Sequence, residues 1–361
     1  SYGMNAASKE YDDENKYIRI TDIDETTIKY INKNSVSPDG DLEEKFLVKE
    51  NDILFARTGA STGKTYLYDK NDGKLYYAGF LIKANIINHN ANFIFQQTKL
   101  NKYNNWVKIM SMRSGQPGIN SQEYGSYKFS ITSPKEENKI SNFLSLLDKK
   151  IELQSKKIED LKLFKLYTEN SLLNSSNSIH WKKLKLNDIL VEGNKKPVKN
   201  TNDFKKITIK LNLNGLEFNE SKREMSDKRP FYIREENEII IGKQNYFNGS
   251  IAIVTKEFSG CICSNAIMSF KVKEGYNLKY IYLYLSQKRY MKEREFLANG
   301  TGQKELSEKE FLKFTIKVPE DSVVNNITNI IDKINKKINF ENNKLNKLIE
   351  LKKGLMQNMF V

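Results

Sequence analysis

Residues 140–165, ISNFLSLLDKKIELQSKKIEDLKLFK, and residues 327–352, ITNIIDKINKKINFENNKLNKLIELK, decide the fold. Laid over each other at a shift of 187 positions, they put Ile140 on Ile327, Leu144 on Ile331, Leu147 on Ile334 and Ile151 on Ile338. The match continues with Ile158 on Leu345, Leu161 on Leu348 and Lys165 on Lys352. Apolar residues alternate at spacings of four and three, which is the seam of a coiled coil. The first seam is broken by Gln154, Lys165 and Thr168 and resumes at Leu172. The second is broken by Glu341 and Lys352 and resumes at Leu355 and Met359. A polar residue costs stability in an apolar seam, so breaks at matching places read as setting register or partner choice. The same pattern also fits the solvated edge of an ordinary helical hairpin. A helix of about 33 residues is a rod of roughly 50 Å, better suited to spacing domains than to filling a core.

The duplication continues outward from the rods. Gly115 and Gln116 fall on Gly302 and Gln303, Ile119 on Leu306, Glu123 on Glu310 and Tyr124 on Phe311, and after a slip of two Pro134 falls on Pro319. Upstream, Asn51-Asp52-Ile53-Leu54-Phe55 matches Asn237-Glu238-Ile239-Ile240-Ile241. The chain therefore reads as globular, helix, globular, helix, with boundaries at 1–133, 134–176, 180–318 and 319–361. The expected class is α+β: two similar domains with mixed β-sheets, separated by two long antiparallel coiled-coil helices, with a pseudo-twofold internal repeat. Antiparallel rods would set the globular parts at opposite ends. Runs rich in β-branched and aromatic residues predict strands over 17–23, 52–56 and 77–86, then 206–211, 238–242, 250–255 and 267–272. Short helices are expected over 93–110 and 278–296.

The 361 residues carry 59 Lys and Arg against 45 Asp and Glu, a formal +14, with a pI near 9.3. That balance favours a polyanion as partner, although the abundance of Asn, Lys and Ile makes part of the excess a matter of genome composition. No apolar run is long enough to span a bilayer, and the first fifteen residues do not have the form of a signal peptide. A soluble, cytoplasmic protein with no membrane partner is expected. Cys261 and Cys263 are one residue apart, which is poor disulfide geometry. With only His89 and His180 besides, a zinc site lacks its ligands; no metal is expected.

Gly59-Ala60-Ser61-Thr62-Gly63-Lys64-Thr65 looks at first like a phosphate loop, but it has three residues between its glycines where that motif needs four. A glycine-rich turn after a strand, with Arg57, Thr58, Ser61, Thr62 and Lys64, instead suits contact with DNA. Its counterpart is Lys243-Gln244-Asn245-Tyr246-Phe247-Asn248-Gly249. Gln and Asn pair with adenine, Arg and Lys with guanine, and Ser or Thr with either, so both loops hold base-reading chemistry. Their different content implies that the halves read different sequences; a polar turn with no contact is the plainer reading of any one residue. The second repeated loop, Arg113 to Ser121 with Gln116 and Asn120, is echoed by Gly300 to Ser307 with Gln303 and Lys304. Ser121 and Ser307 stand where a helix cap is adequate explanation. Gln116 and Gln303 either touch nucleic acid or hold their loops together. No two prolines adjoin as they do in amino-methyltransferase active sites, and no glycine-rich cofactor fingerprint appears.

The order of these parts resembles the specificity subunits of type I restriction-modification enzymes. It rests on Trp181-Lys182-Lys183-Leu184 opening the second domain, on Asn51 to Gly59 in the first, and on a seam helix led by proline after each. The resemblance covers essentially the whole chain. It implies two target-recognition domains, each reading half of a bipartite, asymmetric site on double-stranded DNA. It further implies helices that dock two modification subunits, with restriction and motor subunits joining them. S-adenosylmethionine chemistry belongs to those partners, so this chain is expected to be non-catalytic and to hold no cofactor. The positions it carries over are Arg57 to Lys64, Lys243 to Asn248 and the two Gly-Gln loops. The first domain departs from the pattern by lacking the opening Trp, and its amino terminus reads as shortened. Outside this resemblance, a helical scaffold joining two protein-binding domains and a self-contained restriction enzyme are the competing classes.

Overall fold

The structure is a computed structural model that describes residues 1–25, 27–174, 181–219, 229–297 and 305–360. It divides into two compact units, residues 1–156 with 343–361, and residues 157–342. Each unit thus combines one half of the sequence with part of both long helices.

The first unit contains β1 (Ala7–Glu10), β2 (Lys16–Ile18), β3 (Val36–Asp39), β4 (Asp52–Ala56), β5 (Thr65–Leu67), β6 (Leu75–Tyr77) and β7 (Leu81–Asn85). Helices α1 (Ala91–Gln97), α2 (Asn101–Met110) and α3 (Ser121–Gly125) follow, then the long α4 (Pro134–Leu173). Its central sheet is antiparallel in the order β5-β4-β7, while β1 pairs with β3 and β2 runs parallel to β6. Side chains alternate across a strand, and β4 is buried on both faces. Ile53 and Phe55 pack on α1, α2 and the seam residues Ile140, Leu144 and Leu147. Leu54 and Ala56 face a second core with Ile18, Tyr66, Tyr77 and Leu81.

The second unit repeats the plan. Its elements are β8 (Lys182–Lys185), α5 (Leu186–Ile189), β9 (Leu190–Glu192), β10 (Ile207–Ile209), β11 (Leu216–Phe218), β12 (Phe231–Ile233) and β13 (Ile239–Gly242). They continue with β14 (Ile251–Ile253), β15 (Ile262–Ser264), β16 (Ile267–Val272), α6 (Leu278–Leu285), α7 (Lys288–Lys292), α8 (Glu308–Leu312), β17 (Thr315–Val318) and the long α9 (Asp321–Met359). The sheet order is β14-β13-β16-β9. Ile239 and Ile241 join Phe270, Ile281, Phe311 and Ile327, while Ile240 turns to Ile207, Val254 and both free cysteines. The residues entering the two central strands, Asn51 and Asn237, share a left-handed φ of 68°, a conformation that Asn tolerates better than most side chains. Asn90 and Asn277 cap α1 and α6, each accepting the N–H three residues on.

Within each unit the long helices run antiparallel. In the first, Lys352 ion-pairs with Asp148, and Met356 and Phe360 share a core with Ile140 and Leu144. In the second, Lys157 meets Glu341 at 2.8 Å, while Leu172 and Leu173 pack with Val324 and Ile327. Every expected seam residue from Leu144 to Lys165 and from Ile331 to Lys352 is buried or half-buried. The polar breaks are occupied ones: Glu341 accepts Lys157 and, at 2.9 Å, Lys337, and Lys165 lies 3.6 Å from Glu169.

Four sequence expectations need correction. The strand over 17–23 stops at Ile18, because the Asp22 carboxylate accepts the Arg19 backbone N–H and both sides of its guanidinium fork, at 2.8–2.9 Å, and winds Ile20–Asp22 into a 3-10 turn. The strand over 77–86 breaks at residues 78–80, where the Gly79 N–H donates to Met4. The helix over 93–110 is α1 and α2, interrupted at Thr98, whose hydroxyl turns back on the Phe95 carbonyl. The helix over 278–296 likewise breaks at Gln287, whose amide donates to the Tyr284 carbonyl. Among the described residues no helix is long and apolar enough to cross a membrane.

Candidate nucleic-acid interface

In the first unit the two loops singled out from sequence lie side by side. The backbone of Arg57 accepts from Ile119, Gly59 donates to Pro117 at 2.9 Å, and Thr58 bridges to Gly118. The Arg57 to Lys64 loop is a tight turn that glycine makes possible. Gly59 and Gly63 sit at φ 70° and 89°, and a Cβ on Gly63 would come within 2.4 Å of Val107. The Gly63 N–H donates to the Tyr124 hydroxyl, which itself donates to Ala56.

Several expected DNA contacts prove to have partners within the protein. The Thr62 hydroxyl donates to Gly59 at 2.8 Å and closes the turn. Lys64 is largely buried and reaches the Ile23 carbonyl at 3.2 Å and Glu25 at 3.4 Å. Arg113 pairs with Glu123. Asn120 caps α3, its side chain accepting from the Glu123 N–H at 2.9 Å while Glu123 accepts from the Asn120 N–H at 2.8 Å. That reciprocal box holds the Glu123 carboxyl below its usual range, through the Asn120 backbone first. The cap expected of Ser121 thus falls one residue earlier, whereas Ser307 does cap α8. Gln116 is exposed, with its amide against Gly59, where a Cβ would meet it at 2.9 Å. Ser61 is half-buried on the turn, and Arg57 projects toward Tyr2.

The second unit has the same scaffold with different side chains. The Lys243 carbonyl accepts from Leu306 at 2.9 Å, as Arg57 accepts from Ile119. Its ammonium lies 3.7 Å from Glu308. Gln244 and Asn245 are exposed, and Asn245 accepts from the Asn248 amide at 3.3 Å. Gln303 and Lys304 lie outside the described residues, as does His180. Sequence reading missed Tyr2 and Phe80, which flank Arg57. Both are distant along the chain, and neither belongs to a repeated motif.

A family model described as type I restriction modification DNA specificity domain matches residues 5–163 and 178–351. The fold is similar to that of the type I restriction-modification system S subunit from M. genitalium, at 14% identity and TM-score 0.58, over 100% of this chain and 92% of that one. It is also similar to a chain from a structure described as the basis of complex assembly and conformational transition of the type I R-M system, at 13% identity and TM-score 0.56, over 99% and 95%. At such identities the likeness is one of fold. No curated protein sequence matches the chain.

Proposed function

The chain belongs to the type I restriction-modification DNA specificity family, and from that premise we propose that it reads a bipartite, asymmetric site on double-stranded DNA in the cytoplasm, one unit per half-site. The observation that carries this reading is one scaffold built twice with unlike tips: half-buried Arg57 and exposed Gln116 in the first unit, exposed Gln244 and Asn245 in the second. A shared scaffold gives both units one way of approaching DNA, while unlike tips give them different bases. The chain performs no chemistry; two modification subunits bring S-adenosylmethionine to adenine, and restriction subunits join them. Binding of the full chain with its modification subunits to a selected site should fall on the order of a thousandfold between 50 and 200 mM salt, as titration by fluorescence anisotropy would read. Indifference to DNA sequence at every salt would favour a protein-binding scaffold instead.

The modification subunits dock on the long helices. On α4 the first unit exposes Leu146 and Leu153 and the second exposes Phe164 and Tyr167; on α9 Phe340 and Leu351 are exposed. Leu153 and Phe340, 59% and 62% exposed, occupy equivalent places in the repeat, as do Phe164 and Leu351. A matched pair of apolar tips facing water suits two copies of one partner. The double variant Leu153→Glu with Phe340→Glu should keep DNA selectivity yet lose the modification subunits on affinity purification. Their retention at wild-type stoichiometry would move the docking surface elsewhere.

A further inference from the structure

Arg57 differs from the other described cations of these loops in that its donors are unspent. Lys64, Arg113 and Lys243 each have an acidic partner, and Arg19 is forked onto Asp22. The Arg57 guanidinium instead lies over the Tyr2 ring, 4.8 Å from its centroid, and among the described residues no acceptor takes its N–H groups. Its backbone is fixed at both ends, donating to Phe80 at 3.0 Å and accepting from Ile119 at 2.9 Å. Tyr2 is fixed in turn, its hydroxyl accepting the Ser121 N–H at 3.1 Å. Beside them opens a concavity of about 680 Å³ lined by Tyr2, Met4, Ala78 and Phe80 as well as Arg57. Phe80 at its rim is 58% exposed.

A guanidinium held over an aromatic ring is attracted by the ring without needing an oxygen acceptor, so its N–H groups remain available to one. A fork held in one orientation before binding also loses less freedom on binding. The acceptor pair matching a planar fork on duplex DNA is N7 and O6 of guanine in the major groove. We propose that this concavity is the base-reading contact of the first unit, with Arg57 donating both N–H groups to one guanine and Tyr2 as its positioning residue. The assignment rests on the reading of the chain as a DNA specificity subunit. It also separates the units: Lys243, the residue equivalent to Arg57, is 18% exposed and engaged by Glu308, so guanine reading of this kind belongs to the first half-site.

The test is selection from random duplex DNA by the full chain assembled with its modification subunits, comparing wild type with Arg57→Gln, Arg57→Lys, Tyr2→Leu and Tyr2→Phe. The wild type should select a motif with guanine in one half. Arg57→Gln should cut the preference for that guanine by roughly 5- to 150-fold and leave the other half unchanged. Tyr2→Leu should relax the same single position, which a merely structural role would not do, and Tyr2→Phe, which keeps the ring, should retain it. Arg57→Lys keeps the charge without the planar fork and should relax the guanine while holding overall affinity. A motif unchanged in every variant overturns the assignment. Equal weakening for all sequences makes Arg57 a phosphate contact and overturns it too. A wild-type assembly that selects no motif overturns the DNA-specificity reading itself, which the wild-type selection reveals before any variant is considered.

Discussion

Transplanting residues 1–156 together with 343–361 from another family member should exchange one half of the recognised DNA sequence and leave the other half as it was. The unit of exchange follows from packing. Residues 1–133 hold the strands and loops, but their core is completed by Ile140, Leu144 and Leu147 from α4 and by Met356 and Phe360 from α9. Phe360 is buried, and its ring centroid lies 5.1 Å from that of Phe93. Removing such a side chain costs about 3–5 kcal/mol, a large share of a domain's stability. A transplant of residues 1–133 alone keeps the resident Met356 and Phe360 against foreign partners, so it should melt earlier. Mapping methylated adenines in cells carrying each transplant reads the exchange of half-sites, and thermal melting of the purified chains reads the difference in stability. If the larger transplant alters both half-sites, or neither, the units do not read DNA independently.

The rods were legible in sequence because a coiled-coil seam is local: each contact recurs every three or four residues, so Ile140, Leu144 and Leu147 announce themselves. The duplicated central strands were legible too, since Ile53 to Phe55 and Ile239 to Ile241 are apolar on both faces. Breaks in the elements were less visible, because their causes are single side chains such as Asp22 closing on Arg19 or Thr98 bonding to Phe95. At the candidate interface the loops at 57–64 and 243–249 follow the strands β4 and β13 as read from sequence, but the state of each cation was not legible. Whether a lysine or arginine is free or spent depends on which acid the fold brings up, as Glu308 is brought to Lys243 across sixty-five residues. Tyr2 under Arg57 is the same kind of fact, an aromatic face supplied by a distant segment. Periodicity reports contacts along an element; it is silent on those between elements.

Replacing Lys99 by methionine should stabilise the first unit at neutral pH and remove part of its alkaline gain in stability. Lys99 lies 4.0 Å from Asp148, which also pairs with Lys352, a seam residue with a side chain only 12% exposed. Two ammonium groups thus share one carboxylate, with Lys29 adding further positive potential and the Phe95 ring 4.5 Å away. Burial, followed by the charge of Lys352, lowers Lys99 from 10.5 to about 8. In the unfolded chain it titrates at its ordinary value, so between pH 8 and 10.5 the unfolded state binds more protons and stability rises with pH. Below that window the folded state bears the whole cost of a poorly compensated charge, up to about 3 kcal/mol. Lys99→Met removes the charge while keeping an unbranched apolar chain, so its thermal midpoint should exceed that of wild type at pH 7 and the two should converge near pH 10. Differential scanning calorimetry across that range measures the convergence, and parallel curves would show that Lys99 is adequately neutralised. Asp148→Asn should act in the opposite direction, because it leaves Lys99 and Lys352 facing each other with no carboxylate between them. The equivalent seam position in the second unit, Lys165, meets Glu169 instead, so each unit answers its seam lysine with an acid of its own. A slip of one turn between the helices of the first unit would carry Lys352 away from Asp148 and leave it poorly compensated, so this break can fix register at a cost in stability, whereas Lys165 and Glu169 share α4 and move together.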